Sequence, residues 1–223
     1  MNILGFDTAT PATAVGLLSA AGEQFEARDA PAPGERGHHA ERVLVQSHEL
    51  LLAAKLGWRD LQVIAVGIGP GGYTGLRIGL ATAHGLALAH GAELVGIGTL
   101  RALAEPVRGA TAVAILDARR GELFAAAYLD DVEVLSPCVI TPADLPDVLG
   151  GRVAHAALAI GDGALAQRDL LSRIGIEVAA ADSPLHLLCG GAICRLAARG
   201  LGAAATPLYL RRPDAERNLE AAR

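Results

Sequence analysis

Gly67 to Gly79 reads GIGPGGYTGLRIG, and it joins a short apolar run, Gln62 to Val66, to a helical stretch from about Thr74 to His90. The run has the length and apolar character of a buried strand, which makes the segment a strand-to-helix turn. Six of its thirteen residues are glycine and one is proline. A turn so bare of side chains can aim backbone N–H groups at an anion near a helix N-terminus, or it can let two backbones touch. No Lys-Ser or Lys-Thr pair closes it, so it is not a Walker phosphate loop. Its glycine spacing also differs from the dinucleotide fingerprint.

Outward from this turn, one order of elements occurs twice. Asn2 to Asp7, Thr13 to Leu18 and Glu23 to Arg28 read as three strands, and a proline-bearing loop (Pro31 to Gly37) leads to a helix from His38 to Leu56. The strand at Val63, the glycine turn, the helix to His90, a strand at Glu93 to Gly96 and a short helix capped by Thr99 complete the first set. In the second set, Ala112 to Asp117, Glu122 to Tyr128 and Val132 to Ile140 are strands, and Thr141-Pro142-Ala143-Asp144 starts a helix. Ala157 to Ile160 is a strand, Asp162 to Ile174 a helix, Glu177 to Ala179 a short strand, and Ser183-Pro184 opens a last helix to Arg199. Two copies of βββαβαβα predict an α/β chain of two tandem ribonuclease H-like domains, the actin and sugar-kinase architecture. The expected division is residues 1–104, 105–206 and a tail, 207–223.

Asp7 and Asp117 end the first strand of each copy. By fold analogy, Asp7, Thr8 and Asp117 are candidates for a magnesium-nucleotide cleft. The turns read DTAT, with alanine where a phosphate-binding turn places glycine, and DARRG, with two arginines, so any such cleft is degenerate. A carboxylate at a strand end also caps the following turn through Asx geometry.

Composition narrows the classes further. The chain is 52% hydrophobic but 3% aromatic, so its core is built from Ala, Val, Leu and Ile. A net charge of −5 argues against a broad basic face for nucleic acid, and the basic pairs Arg119-Arg120 and Arg211-Arg212 are local. Three widely spaced cysteines form neither a zinc knuckle nor a redox pair. Asp7 interrupts the first apolar run, and the longest apolar helix carries Arg77, His84 and His90. The expectation is a soluble cytoplasmic protein with neither leader nor membrane span.

The segments NILGFDTATPATAVGL (2–17), GIGPGGYTGLRIG, LDARRGELFAAAY (116–128) and PLYLRRPDAE (207–216) together resemble one family, the bacterial tRNA threonylcarbamoyladenosine biosynthesis protein TsaB, also called YeaZ. The resemblance runs the length of the chain. Gly72 and Tyr73 stand where many relatives carry Ser and Phe. The resemblance implies a non-catalytic partner of the catalytic subunit TsaD, with the ATPase TsaE completing the machinery. Together they place a threonylcarbamoyl group on N6 of the adenosine next to the anticodon. It implies no cofactor for this subunit, with nucleotide confined to a partner interface or a vestigial cleft. The resemblance also implies a catalytic paralogue that holds a metal with two histidines on one helix turn. This sequence has no H-x-x-x-H or H-E-x-x-H pair, so no metal site of that or of the metalloprotease kind is expected.

The residues supply a basis for partnership. Gly75, Gly79, Ala83 and Ala87 form one stripe on the helix after the glycine turn, and Ala81, Gly85 and Ala89 form another. Leu76, Ile78, Leu80, Leu86 and Leu88 fill much of the rest, so this helix needs cover on more than one side. The preceding helix is apolar over a wide arc through Val43, Leu44, Leu50, Leu51 and Leu52. The expected partner surface comprises Val43, Leu44, Leu51, Tyr73, Gly75, Leu76, Gly79, Leu80, Ala83 and Ala87, met by TsaD or by a second copy of this chain as a homodimer, with no direct tRNA binding. The rival expectation is a small-molecule kinase or nucleotide hydrolase that uses Asp7 and Asp117.

Overall fold

The computed structural model describes residues 1–31, 38–153 and 156–211. Arg212, most of the loop before the first helix and most of the expected tail lie outside the described residues. The elements follow as β1 (Ile3–Asp7), β2 (Thr13–Leu18), β3 (Gln24–Asp29), α1 (His39–Ala53), β4 (Val63–Gly67), α2 (Tyr73–His90), β5 (Glu93–Ile97) and α3 (Thr99–Ala104). After these come β6 (Thr111–Arg119), β7 (Glu122–Leu129), β8 (Val132–Ile140), α4 (Leu145–Leu149), β9 (Ala157–Ile160), α5 (Asp162–Ala166), α6 (Arg168–Arg173), β10 (Glu177–Val178) and α7 (Gly190–Ala198).

They form two mixed five-stranded sheets with matching orders, β3-β2-β1-β4-β5 and β10-β9-β6-β7-β8. In each, the first strand pairs antiparallel with the next and parallel with the fourth of its set, so β6 occupies the place of β1. The alternation of strand side chains builds three apolar layers. Leu4 and Phe6 of β1 face α1 and α2, while Ile3 faces the space between the sheets. On β6, Val113 and Ile115 face α4 to α6, while Ala112, Ala114 and Leu116 face inward.

Helices α3 and α7 fill the layer between the sheets: α3 lies on β6 and β7, and α7 on β1 to β5. The last helix therefore returns to the first sheet, a choice its apolar sequence leaves open. Two glycines make that return close. Gly190 at the start of α7 and Gly16 in β2 meet backbone to backbone, where a Cβ on either would overlap main-chain atoms of the other element. Cys194 then sits against Gly5, its thiol donating to the carbonyls of Ile3 and Gly16 at 3.4 Å each.

Some expected elements differ. The stretch from Asp162 to Ile174 is two short helices that break at Gln167 (φ −109°, ψ 19°), and Arg168 after the break donates to the carbonyls of Val178 and Ala179 where α6 lies on β10. Ser183 caps a single 3-10 turn, Pro184–His186, rather than the last helix. His186 is buried and bonded to backbone at Gly161, Ala179 and Ala180, which holds the chain there until it restarts at Gly190. Thr99 is the first residue of α3 instead of its cap, and its hydroxyl serves another purpose described below.

At the end of α3, Glu105 sits almost wholly buried under three arginines. It accepts from Arg195 Nη2 at 2.6 Å, Arg108 Nη2 at 2.6 Å and Arg199 Nη2 at 3.3 Å. Burial alone would raise its pKa, but the hydrogen bonds and charge of Arg195, followed by Arg108 and Arg199, outweigh that and hold it below its ordinary value of 4.5. A depressed folded pKa gives stability that is present above 4.5 and lost as pH falls through the folded value. Glu105→Gln should therefore cost about 2–3 kcal/mol at neutral pH, less than the roughly 3–5 kcal/mol of a fully buried pair because the arginines are themselves 32% to 42% exposed. The difference in melting temperature between parent and variant should close as pH drops below 4.5. A gap that stays constant down to pH about 2.5, well below the usual carboxylate range, would refute this assignment.

Candidate functional site

The glycine turn places the N-terminus of α2 beside the turn after β1. Three of its amides are engaged within the chain: Ile68 N–H donates to Ile97 O, Gly69 N–H to Thr99 Oγ1 and Gly72 N–H to Ala9 O. The turn serves close backbone approach. Gly75 and Gly79 then press α2 onto Thr8, with a Cβ at Gly75 overlapping the Thr8 carbonyl and one at Gly79 overlapping its hydroxyl. Thr8 Oγ1 donates to Gly75 O at 2.7 Å and closes the contact.

This geometry corrects the direction of the small-residue stripe. Gly75, Leu76, Gly79, Leu80, Ala83 and Ala87 are all buried inside the chain, as are Val43 and Leu51 on α1. Of the ten residues expected on a partner surface, Leu44 and Tyr73 alone keep exposed area. The stripe is the seam where α2 meets β4, the turn after β1 and α1, because small side chains let the helix settle on its own sheet. The second stripe points outward. Ala81, Gly85 and Ala89 are exposed, and among the described residues nothing lies within 4 Å of a Cβ built on Gly85. Leu88 beside them is 88% exposed, and α1 adds Leu52 at 62%, Leu44 at 45% and Val45 at 40%. A side-by-side helix pair thus carries large aliphatic groups on its outer face without cover. The sequence did signal Leu52 and Leu88 as apolar, but an all-round apolar helix gives no bearing on which flank is free.

At the start of α2 the outer face meets an aromatic cluster. The rings of Tyr73 and Tyr209 lie 5.1 Å apart, the Arg77 guanidinium sits 4.0 Å above Tyr73, and Arg77 Nε donates to Tyr209 Oη at 3.0 Å. Tyr209 belongs to the segment after α7, which bridges Gly96 through Ala203 and donates from Leu208 N–H to Ile68 O.

Between the two sheets lies a cleft of about 770 Å³, lined by Thr8, His39, Tyr73, Asp117, Asp162 and Arg211 among others. Of the expected nucleotide residues, Thr8 and Asp117 line it and Asp7 does not. Asp7 is fully buried, its carboxylate accepting from Ala9 N–H at 2.6 Å and from Thr99 Oγ1 at 2.6 Å, with Gly67 packed against it. Burial raises its pKa, with the Thr99 and Ala9 hydrogen bonds opposing. Asp117 is exposed and accepts from Arg119 N–H at 2.7 Å, the same two-residue reach that Asp7 makes to Ala9. Asp7 caps the turn after β1, while Asp117 lies two residues inside the end of β6, at a break in its register with β7, and makes the same two-residue reach there. His39 is similarly engaged, its Nδ1 lying 2.8 Å from Thr13 Oγ1.

A turn-capping role for Asp7 has a measurable consequence. Asp7→Asn keeps the acceptor for Ala9 but leaves the Thr99 hydroxyl without its carboxylate. The expected outcome is a loss of about 1–2 kcal/mol, with no loss of whatever the protein does with its partners. Abolished activity in a variant that melts normally would return Asp7 to chemistry.

The chain matches, over residues 34–184, the family model described as TsaD: tRNA N6-adenosine threonylcarbamoyltransferase. It is 32% identical to the tRNA threonylcarbamoyladenosine biosynthesis protein TsaB of Escherichia coli, over 95% of each chain. It is 34% identical to an uncharacterized protein of Mycobacterium tuberculosis, over 96% of this chain and 94% of that one. Among solved structures, YeaZ from Pseudomonas aeruginosa superposes with a TM-score of 0.75 at 26% identity, covering 94% of this chain and 99% of that one. With the shared fold and near-complete coverage, this chain belongs to the TsaB family, within the wider family that the TsaD model describes.

Proposed function

We propose that this chain is a non-catalytic scaffold subunit for formation of threonylcarbamoyladenosine at the adenosine next to the anticodon, and that it acts by pairing with the catalytic subunit TsaD. The observation that carries the reading is the outer face of the paired α1 and α2, where Leu44, Val45 and Leu52 of α1 and Leu88 of α2 are exposed together with the small residues Ala81, Gly85 and Ala89. A like-folded partner can lay a helix across small residues at close range, with the leucines at the margins. Asp7, which a phosphoryl-transfer enzyme of this fold would present to its cleft, is closed off and caps a turn. In this reading a second copy occupies the face when TsaD is absent, TsaE joins the pair, and residues 1–104 and 105–206 are the two halves of the subunit.

Light scattering of this chain, of TsaD from the same organism, and of their mixture tests the proposal. The expected result is a mixed species that replaces this chain's own oligomer. Lack of association, with or without nucleotide, would overturn it. The net charge of −5 supports a reading in which tRNA is held elsewhere in the assembly, and on it the isolated chain should give no gel shift. A tight, salt-sensitive shift by this chain alone would contradict that part.

A further inference from the structure

We infer that the two sheets, each taken as one half with the helices packed on it, are tied at both ends of β6, so that the cleft between them is held at one opening and does not splay about either end. The inference stands apart from the partner reading above.

The first tie is the Glu105 cluster, near the N-terminal end of β6. Glu105 ends α3, which lies on β6 and β7, while Arg195 belongs to α7, which lies on the first sheet. Arg195 reaches further into the first half, donating from Nη1 to Gln24 Oε1 on β3 at 2.7 Å. Arg199 and Arg108 both contact Asp131 in the β7–β8 turn, at 3.3 Å and 3.9 Å, which fastens the same cluster to the second sheet.

The second tie lies at the C-terminal end of β6. The segment after α7 is anchored on the first half by the Ala203–Gly96 bridge, by Leu208 N–H on Ile68 O at 2.7 Å and by Tyr209 against Tyr73. It then crosses to the second half, where Arg211 Nη1 donates to Ala118 O at 2.6 Å and to Glu122 Oε2 at 3.0 Å. Arg211 also lines the cleft, so this tie sits at its mouth.

The separation of the two ties matters more than the strength of either. From Thr111 to Arg119 the strand climbs eight residues, or about 26 Å at 3.3 Å each. Two bodies joined at one point rotate freely about it, which is how hinge closure proceeds. A 20° rotation about the Glu105 end would move the Arg211 end by about 9 Å, far beyond the 3.2 Å limit of a good hydrogen bond. Splaying the cleft about either end therefore requires breaking the tie at the other, and rotation about the line through both ties is the one motion that leaves them intact.

The test places nitroxide labels on the full-length chain at Thr74→Cys and Asp169→Cys, exposed positions on the two halves, after Cys138→Ser, Cys189→Ser and Cys194→Ala. Pulsed electron-spin measurements then give the distance distribution. The expected result is one narrow peak for this parent, a broader one for Glu105→Gln or Arg211→Ala, and the broadest for the pair. Arg211 lies outside every helix and strand, so its variant reports on the second tie even if Glu105→Gln fails to fold. A broad or two-peaked distribution in the folded parent would overturn the inference. So would a folded Arg211→Ala chain as narrow as the parent.

Discussion

Gly190→Val should cost about 4 kcal/mol or prevent folding, an effect in the exceptional range for a single substitution. The reason lies in what the new side chain would meet. A Cβ at Gly190 overlaps the Val15 carbonyl carbon and the Gly16 amide nitrogen, which belong to a strand paired on both sides. Flexible side chains can move aside from an added methyl, but a paired strand cannot, so the strain passes to the α7 contact itself. Because α7 carries Ile193, Cys194 and Leu196 into the layer between the sheets, lifting it opens the central core. For a chain of this size the loss corresponds to a fall in melting temperature of about 8–16 °C. Gly85→Ala is the matched control, since it lies inside α2 with open space around its Cβ, and it should gain about 0.5–1 kcal/mol of helix propensity. A Gly190→Val chain that melts with the parent would mean that α7 does not rest on β2.

The same contacts explain which parts of the fold could be read in advance. The doubled element order was legible because each strand set is bounded by turns and each helix by glycine or proline. The boundaries of α2 were set by the glycine turn before it and by Gly91, which takes the left-handed conformation at its end. Asp7 and Asp117 were legible as a matched pair, and their Asx reach to Ala9 and Arg119 shows why the match exists. Direction was not legible. Gly75, Gly79, Ala83 and Ala87 suit a close helix contact with any neighbour, and nothing in their spacing separates the chain's own sheet from a partner's helix. Nor does the apolar pattern of α7 name the sheet it joins. Glu105 was invisible for a different reason, since its partners Arg195 and Arg199 lie 90 and 94 residues away and pair with it only once α7 has crossed over.

The corrected facing of α2 changes which substitution tests the proposed partner surface. Ala83→Arg or Gly79→Arg would place a guanidinium in a buried seam and unfold the chain, so loss of association there would say nothing about partners. Leu88→Glu and Leu52→Glu act on side chains 88% and 62% exposed, where surface changes usually stay within about ±0.5 kcal/mol of stability. The double variant should melt with the parent. Its association should nevertheless collapse. Burying each leucine at an interface is worth about 1.5–3 kcal/mol, and each glutamate instead brings a charge that would need desolvation without a partner. Losing even 3 kcal/mol weakens binding by more than about 100-fold. The expectation covers both this chain's own oligomer and its complex with TsaD, because the two are proposed to share one face. A double variant that still binds TsaD at parental affinity would place the scaffold contact elsewhere, with the aromatic cluster of Tyr73, Arg77 and Tyr209 as the next surface to alter. Loss of the homo-oligomer alone would separate the two faces, and would count against exchange of one partner for the other.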